Sequence, residues 1–386
     1  MSGDGTPKRK KRGIIKLVLL LAVFAIITFL IVSLVMWIIT GSSPLTNLFS
    51  QRSSEISVNE FNFNVGRDRM FANLDGSIAA VGTLGLKVLD ADGRETLRDS
   101  FRMSQPAILS SGERGIAFDI GGSSVRVFNG TQVLSSIETE GTIVSASLNK
   151  NGWFCVVTQE GGVSRGTITV YNSSGSGVLR AIKETGFVLS AELSHDNRSL
   201  AILNYTTTGS RVSFYHGLDT DKDEPDHIFD YTSGLIIDIR YLENGDVLVV
   251  STDALFLIER SGSGKMLFPY ADKRLGGYTY DGDFIVLHLY DYGIGYQGRL
   301  ITLLTDGTIL AEKTAGREII SMSAADNSFI LLKNDGVLFL DEELEEFQAS
   351  EEDFSAAGAS RVLAVSRDTA LATSDNSAVV IRRNTD

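Results

Sequence analysis

The feature that most constrains this chain is a unit that recurs eight times: an apolar strand, a polar turn, a more strongly apolar strand, and then a third. The third strands begin at Leu86, Val125, Ile168, Val212, Leu255, Leu300, Val337 and Val379, in steps of 37 to 45 residues with a mean near 42. A period of about 40–45 residues with several strands per unit marks the blades of a propeller. The second strands, such as those at 153–157, 247–250 and 329–332, are short continuous apolar runs. Strands covered on both faces read this way, as the middle strands of a blade must. Hairpin dipeptides follow many first strands, among them Asp75-Gly76, Asn151-Gly152, Asn244-Gly245 and Asp281-Gly282. These residues accept the positive φ that primed turns need.

The eighth unit ends after its third strand, at 381–386, and lacks a fourth. The segment 55–65 is a strand without a unit, with Ile56, Val58, Phe61, Phe63 and Val65 alternating with polar residues. Its pairing with 379–383 would close the ring and remove the open edges that an unclosed array leaves. The sequence therefore predicts an all-β, eight-bladed propeller. Seven blades is the alternative, with the acidic stretch at 341–358 absorbing the miscount.

Ahead of the repeats, residues 1–16 carry Lys8, Arg9, Lys10, Lys11, Arg12 and Lys16 against one acid, Asp4. Residues 17–39 follow without a charge. At about 1.5 Å per residue such a helix crosses a bilayer core with some tilt. The apolar run is longer than a signal peptide's, and Trp37 stands where an interfacial anchor would. An uncleaved signal or a long cleaved one is the competing reading. The positive-inside rule puts the tail in the cytoplasm. The expected organisation is a basic tail at 1–16, a transmembrane helix at 17–40, a linker at 41–54 and an extracytoplasmic propeller at 55–386.

Charge divides at that span. Of 35 basic and 48 acidic residues, 28 and 47 lie beyond residue 54, a net of −19 for the outer region. Such a domain is repelled by nucleic acid, so no nucleic-acid partner is expected. The single cysteine, Cys155, excludes an intramolecular disulfide and fits a bacterial surface better than an animal one.

The segments Leu304-Thr305-Asp306-Gly307-Thr308-Ile309-Leu310 and Val88-Leu89-Asp90-Ala91-Asp92-Gly93 resemble quinoprotein-type and assembly-factor-type propeller repeats. The layout of basic tail, span and propeller is similar to uncharacterised membrane-anchored propeller proteins of Gram-positive bacteria. The resemblance covers residues 8–386 and implies fold and topology, with no activity attached. The only tryptophans are Trp37 and Trp153, so the docking motif of quinoprotein dehydrogenases is missing, as are Trp-Asp blade endings. No cofactor is expected.

Several local motifs carry chemistry elsewhere. Gly162-Val163-Ser164-Arg165-Gly166 matches an esterase elbow, but a strand follows instead of a helix. Ser261-Gly262-Ser263-Gly264-Lys265 lacks the first glycine, the hydroxyl residue and the helix of a phosphate loop. Asp219, Asp221 and Asp223 have calcium-loop spacing, with Asp230 at the twelfth position, but Glu224 replaces the turn glycine. A solvated acidic turn is the competing reading. The histidines at 195, 216, 227 and 288 show no metal-ligand spacing, and His288 reads as packed. The longest link between second and third strands, 290–296, reads Tyr-Asp-Tyr-Gly-Ile-Gly-Tyr. Tyrosines on loops suit recognition. Asp291, Tyr292 and Tyr296, with Arg165 on the equivalent loop of another unit, are the candidate partner-binding residues. Tyr278 and Tyr280 lie near them in sequence.

First strands should line the central channel. They are dominated by Ser, Ala, Ile and Leu, with Asp238 and Arg240 as the charged cluster. The function expected is a non-enzymatic binding or scaffold module for an envelope protein, peptide or glycan, held at the membrane by one span. The alternative is a surface glycan hydrolase or lyase, which would need paired carboxylates facing the channel.

Overall fold

The computed structural model describes residues 56–61, 63–159, 166–183, 186–218, 224–291, 297–316, 318–334, 336–347, 359–374 and 378–383. The chain divides after Glu55 into two compact units, and the described residues all belong to the second, Ile56–Asp386. The expected tail, span and linker lie outside the described residues. Among those described, no helix is long and apolar enough to cross a membrane.

The second unit consists of eight antiparallel four-stranded sheets. Seven are built from consecutive strands: 70–99 forms blade 1, 106–138 blade 2, 142–183 blade 3, 187–231 blade 4, 236–269 blade 5, 273–316 blade 6 and 319–347 blade 7. Blade 8 takes three strands from 361–383 and its outermost from Ile56–Phe61. The two ends of the chain pair antiparallel from Ile56↔Arg383 to Phe61↔Ala378. The expected closure is thus present, and eight blades replace the seven-blade alternative. Blade 7 explains why the count was ambiguous there, because its outer strand is only the dipeptide Glu346–Phe347.

Burial follows position in the blade. The middle strands Val247–Ser251 and Ala254–Ile258 of blade 5 are buried at every residue, because a neighbouring blade covers each face. The outer strand Glu95–Asp99 of blade 1 is exposed or half-buried throughout, and its charges blunt edge pairing. The cores lie between blades. Leu203, Val212, Phe214 and Tyr231 of blade 4 pack on Ile239, Val247, Val249 and Phe256 of blade 5. At the closure, Phe63, Val65, Ile78 and Ala80 pack on Val365, Leu371, Ala378 and Val380. Each such aliphatic side chain contributes about 1.5–3 kcal/mol on burial, so every blade is held mainly by its neighbours.

In blades 3 to 7 the first strand has a bulge against the second near its start, as between Val188 and Ser190, Ile236 and Asp238, and Leu275 and Gly277. A bulge re-aims the side chains that follow it. In blades 4 to 6 those are the residues of the inner wall.

Candidate functional site

The repeat puts equivalent positions of neighbouring first strands at one level. The penultimate residues of Met70–Leu74, Pro106–Ser111, Phe187–Leu193, Ile236–Tyr241, Lys273–Asp281 and Ile319–Ala325 are Asn73, Ser110, Glu192, Arg240, Tyr280 and Ala324. All but Glu192 line a central cavity of about 980 Å³, together with Asp238, Tyr278, Asp281, Ser323 and Arg361. The polar chemistry concentrates in blades 4 to 6. Arg240 Nη1 donates to Glu192 Oε1 of the preceding blade at 3.1 Å. Its Nε lies 3.4 Å from Asp238 Oδ2 on its own strand. Asp238 Oδ2 also accepts the Tyr278 hydroxyl of the following blade at 3.0 Å. The guanidinium carbon sits 5.8 Å from the Tyr280 ring centroid.

One cation therefore serves two carboxylates. The three side chains are 13%, 18% and 29% exposed for Glu192, Asp238 and Arg240. Burial penalises the charged form of Glu192, and the Asp238 charge adds to this. Arg240 offsets only part, so the Glu192 carboxyl is raised to about 7. Burial also pushes the Tyr278 and Tyr280 hydroxyls well above the usual phenol range, so they stay protonated donors. Cys155 lies fully buried behind this wall, and burial, with the Glu192 charge, raises its thiol. It is an inert packing residue.

The sequence singled out Asp238 and Arg240 correctly but missed Glu192. The signal was present: Glu192 stands at the register of Arg240 one unit earlier. The sequence also grouped Tyr278 and Tyr280 with the 290–296 loop. Strand pairing separates them, since Tyr280 lies opposite Ile285 beside the hairpin turn, whereas Tyr290 lies opposite Arg274 at the far end. Those two tyrosines belong to the channel wall.

Of the candidate partner-binding residues, Asp291 ends the second strand of blade 6 and is ion-paired with Lys273. Arg165, Tyr292 and Tyr296 lie outside the described residues, as do Asp219, Asp221 and Asp223. Asp230, the proposed twelfth position of that loop, sits on the strand His227–Tyr231, with both oxygens held by Arg211 at 2.6 and 2.9 Å. The strand pairing of blade 4 brings His216 and His227 edge to face at 5.5 Å, a proximity the sequence spacing did not suggest. No group of three or more metal-ligating side chains forms among the described residues. Gly166 opens a strand, as expected of a failed esterase elbow. Residues 259–263 form a hydrogen-bonded turn, Glu259 N to Ser263 O at 2.9 Å. His288 is buried at 3% exposure, and burial lowers its pKa.

The model of a family of unknown function, DUF5711, matches residues 51–343, which is most of the chain. The chain belongs to that family. No curated protein matches it in sequence. Among solved structures, the C-terminal WD40 domain of Sif2 is 13% identical, with a TM-score of 0.58, 84% of this chain and 98% of that one being covered. BamB from Moraxella catarrhalis is also 13% identical, with a TM-score of 0.48 and coverage of 85% and 98%. The propeller domain of Cps50 (Swd1) from Myceliophteria thermophila is 10% identical, with a TM-score of 0.49 and coverage of 76% and 99%. The likeness to the Sif2 domain is one of fold.

Proposed function

We propose that this DUF5711 protein is a membrane-anchored binding module. In this reading the segment 17–40 spans the membrane, the basic tail is cytoplasmic, and the propeller works outside as a rigid ring. Its partner is an envelope protein, peptide or glycan that inserts a polar group into the channel mouth. The observation that carries the reading is the inner wall of blades 4 to 6. There, the Asp238 carboxylate, the Arg240 guanidinium and the Tyr278 hydroxyl line an open cavity of about 980 Å³, and Glu192 holds Arg240 from the preceding blade. A concave site with a few convergent polar groups and aromatic surface is the common form of a ligand site. A closed ring presents it without an ordering cost at the moment of binding.

Catalysis is the second reading, and one observation favours it: Glu192, held near neutrality, stands beside a second carboxylate, as general acid chemistry on a glycan would need. Against it, Arg240 bonds both carboxylates, so neither is free to reach a glycosidic oxygen.

The test is capture from envelope extracts by the purified full-length protein and by a Glu192→Gln/Tyr278→Phe double variant. The binding reading expects at least one component to be retained by the wild type and lost by the variant at equal folded concentration. Identical recovery would remove the channel wall as the binding surface. Release of shortened glycans by the wild type, absent from the double variant, would replace binding with hydrolysis.

A further inference from the structure

A second cavity, of about 790 Å³, lies where blades 8, 1 and 2 meet, and its chemistry is opposite to that of the acidic domain around it. Arg67, Arg69 and Arg361 line it, with Ser104, Gln105, Ser360, Thr373 and Ser374. Asp68 is the one acid in the lining. Asp119 lies beneath, buried, with Oδ1 accepting the Ser104 and Gln105 amides at 2.8 and 2.7 Å. Three guanidinium groups facing one exposed carboxylate make a positive groove in a region of net charge −19.

The groove is held by rigid backbone. Gly66 has a φ of +94°, and a Cβ there would lie 2.5 Å from Thr83 Oγ1, so only glycine makes this turn without strain. The turn is pinned by Leu84 N to Val65 O at 2.8 Å, Thr83 N to Arg67 O at 3.1 Å, and Arg67 N to Thr83 Oγ1 at 3.1 Å. Arg69 Nε donates to Gly66 O at 2.9 Å, which fixes its guanidinium at the rim. Arg361 opens the first strand of blade 8, and its neighbour Ser360 donates its amide to Thr373 O at 2.8 Å. Arg67 has no side-chain partner among the described residues, and Arg361 has only the Met70 sulfur, 2.7 Å from its Nη1. Both guanidinium groups therefore lack an anionic partner among the described residues. Arg361 also lines the central cavity.

We propose that this groove is an anion site that takes the phosphate group of a soluble ligand. Guanidinium forks match phosphate oxygens with paired hydrogen bonds. The two from Arg67 and Arg361 alone offer more donors than the two oxygens of a carboxylate fill. The surrounding negative charge repels an anionic bilayer as a whole. It does not prevent one phosphate from entering, because screening beyond about 8 Å at physiological ionic strength confines the repulsion. The site is distinct from the wall of blades 4 to 6 and stands or falls independently of the binding function proposed there.

The test is titration calorimetry of inorganic pyrophosphate into the full-length protein, in phosphate-free buffer. Arg67→Ala and Arg361→Ala are each expected to weaken binding about tenfold, and the double variant about a hundredfold. Binding is expected to weaken as salt rises. Arg102→Ala, an exposed arginine outside the groove, should leave binding unchanged. Thermal melting of each variant verifies the fold. Absence of pyrophosphate binding at about 10 mM, equal binding by the folded double variant, or tighter binding of citrate than of pyrophosphate would each overturn the proposal. Binding to anionic vesicles but not to pyrophosphate would assign the groove to a membrane surface and overturn it as well.

Discussion

The first strands of blades 3 and 5 carry polar side chains toward the ring interior, and they do so to different ends. In blade 3, Ser145 Oγ donates to Leu189 O at 2.7 Å, Ser147 Oγ to Ala191 O at 2.6 Å, and Asn149 Nδ2 to Ser194 O at 3.0 Å. Each satisfies a backbone carbonyl of blade 4, and Asn149 Nδ2 also donates to Asn197 Oδ1 at 2.6 Å. In blade 5, Asp238 and Arg240 bond instead to side chains of their own strand and of blades 4 and 6. The blade 3 contacts hold the ring together. The blade 5 contacts form a network in which one cation serves two acids and one proton sits near its titration point. Polar residues at matched positions of a repeat thus divide into those that cap the backbone of the next blade and those that bond to other side chains at the channel wall.

The largest effect expected is on the ring that both walls share. Deleting 56–61 removes the outer strand of blade 8 and should cost about 5 kcal/mol or more, since a ladder of six paired residues is lost. Urea unfolding of the deletion protein with the same midpoint as the wild type would show that closure is not structural.

Within the closed ring, Arg240→Leu should be the most damaging change at the blade 5 wall. It leaves Glu192 and Asp238 without their shared cation, at a cost of about 3–5 kcal/mol at pH 8. The loss should shrink at pH 5, where Glu192 is protonated. A pH-independent loss would mean that the network is packing and not electrostatics.

Glu192 itself makes the wild type pH-sensitive. Its carboxyl is raised from 4.5 to about 7 in the folded state, so the folded protein binds the proton more tightly. The stability this contributes is complete below about pH 4.5 and is lost as pH rises through about 7, by about 3 kcal/mol in all. Glu192→Gln should remove this component, which unfolding free energies at pH 4.5, 6 and 8 would reveal.

The smallest pair of effects sharpens the contrast most. Ser147→Ala removes a buried backbone-capping bond and should cost about 1 kcal/mol at every pH. Tyr278→Phe, which removes a hydroxyl that donates to the Asp238 carboxylate, should cost about 1.5 kcal/mol while altering binding. Equal effects on binding would erase the distinction between the two walls.

Most of the fold was legible because a propeller repeats its arithmetic. Apolar runs such as 247–250, turn dipeptides and a constant period specify blades without long-range information, and the unpartnered strand at 55–65 pointed to the closure. Boundaries were less legible: the first strand of blade 6 begins at Lys273, ahead of Gly276 where the apolar pattern becomes readable. The site was half legible. Asp238 and Arg240 stand out in an apolar strand, but Glu192 does not, because its partner is 48 residues away and the contact exists only across a blade interface. The arginine groove was not legible at all. Arg67 and Arg361 are 294 positions apart and meet only because the ring closes.

The most direct measurement is photo-cross-linking in envelopes, with a photoreactive residue placed either at Tyr280 on the channel wall or at Met266 on the exposed outer strand of blade 5. The account expects a defined adduct from position 280 that the Glu192→Gln/Tyr278→Phe background abolishes, and none from position 266. An adduct from position 266 alone, or one from position 280 that survives in that background, would contradict it.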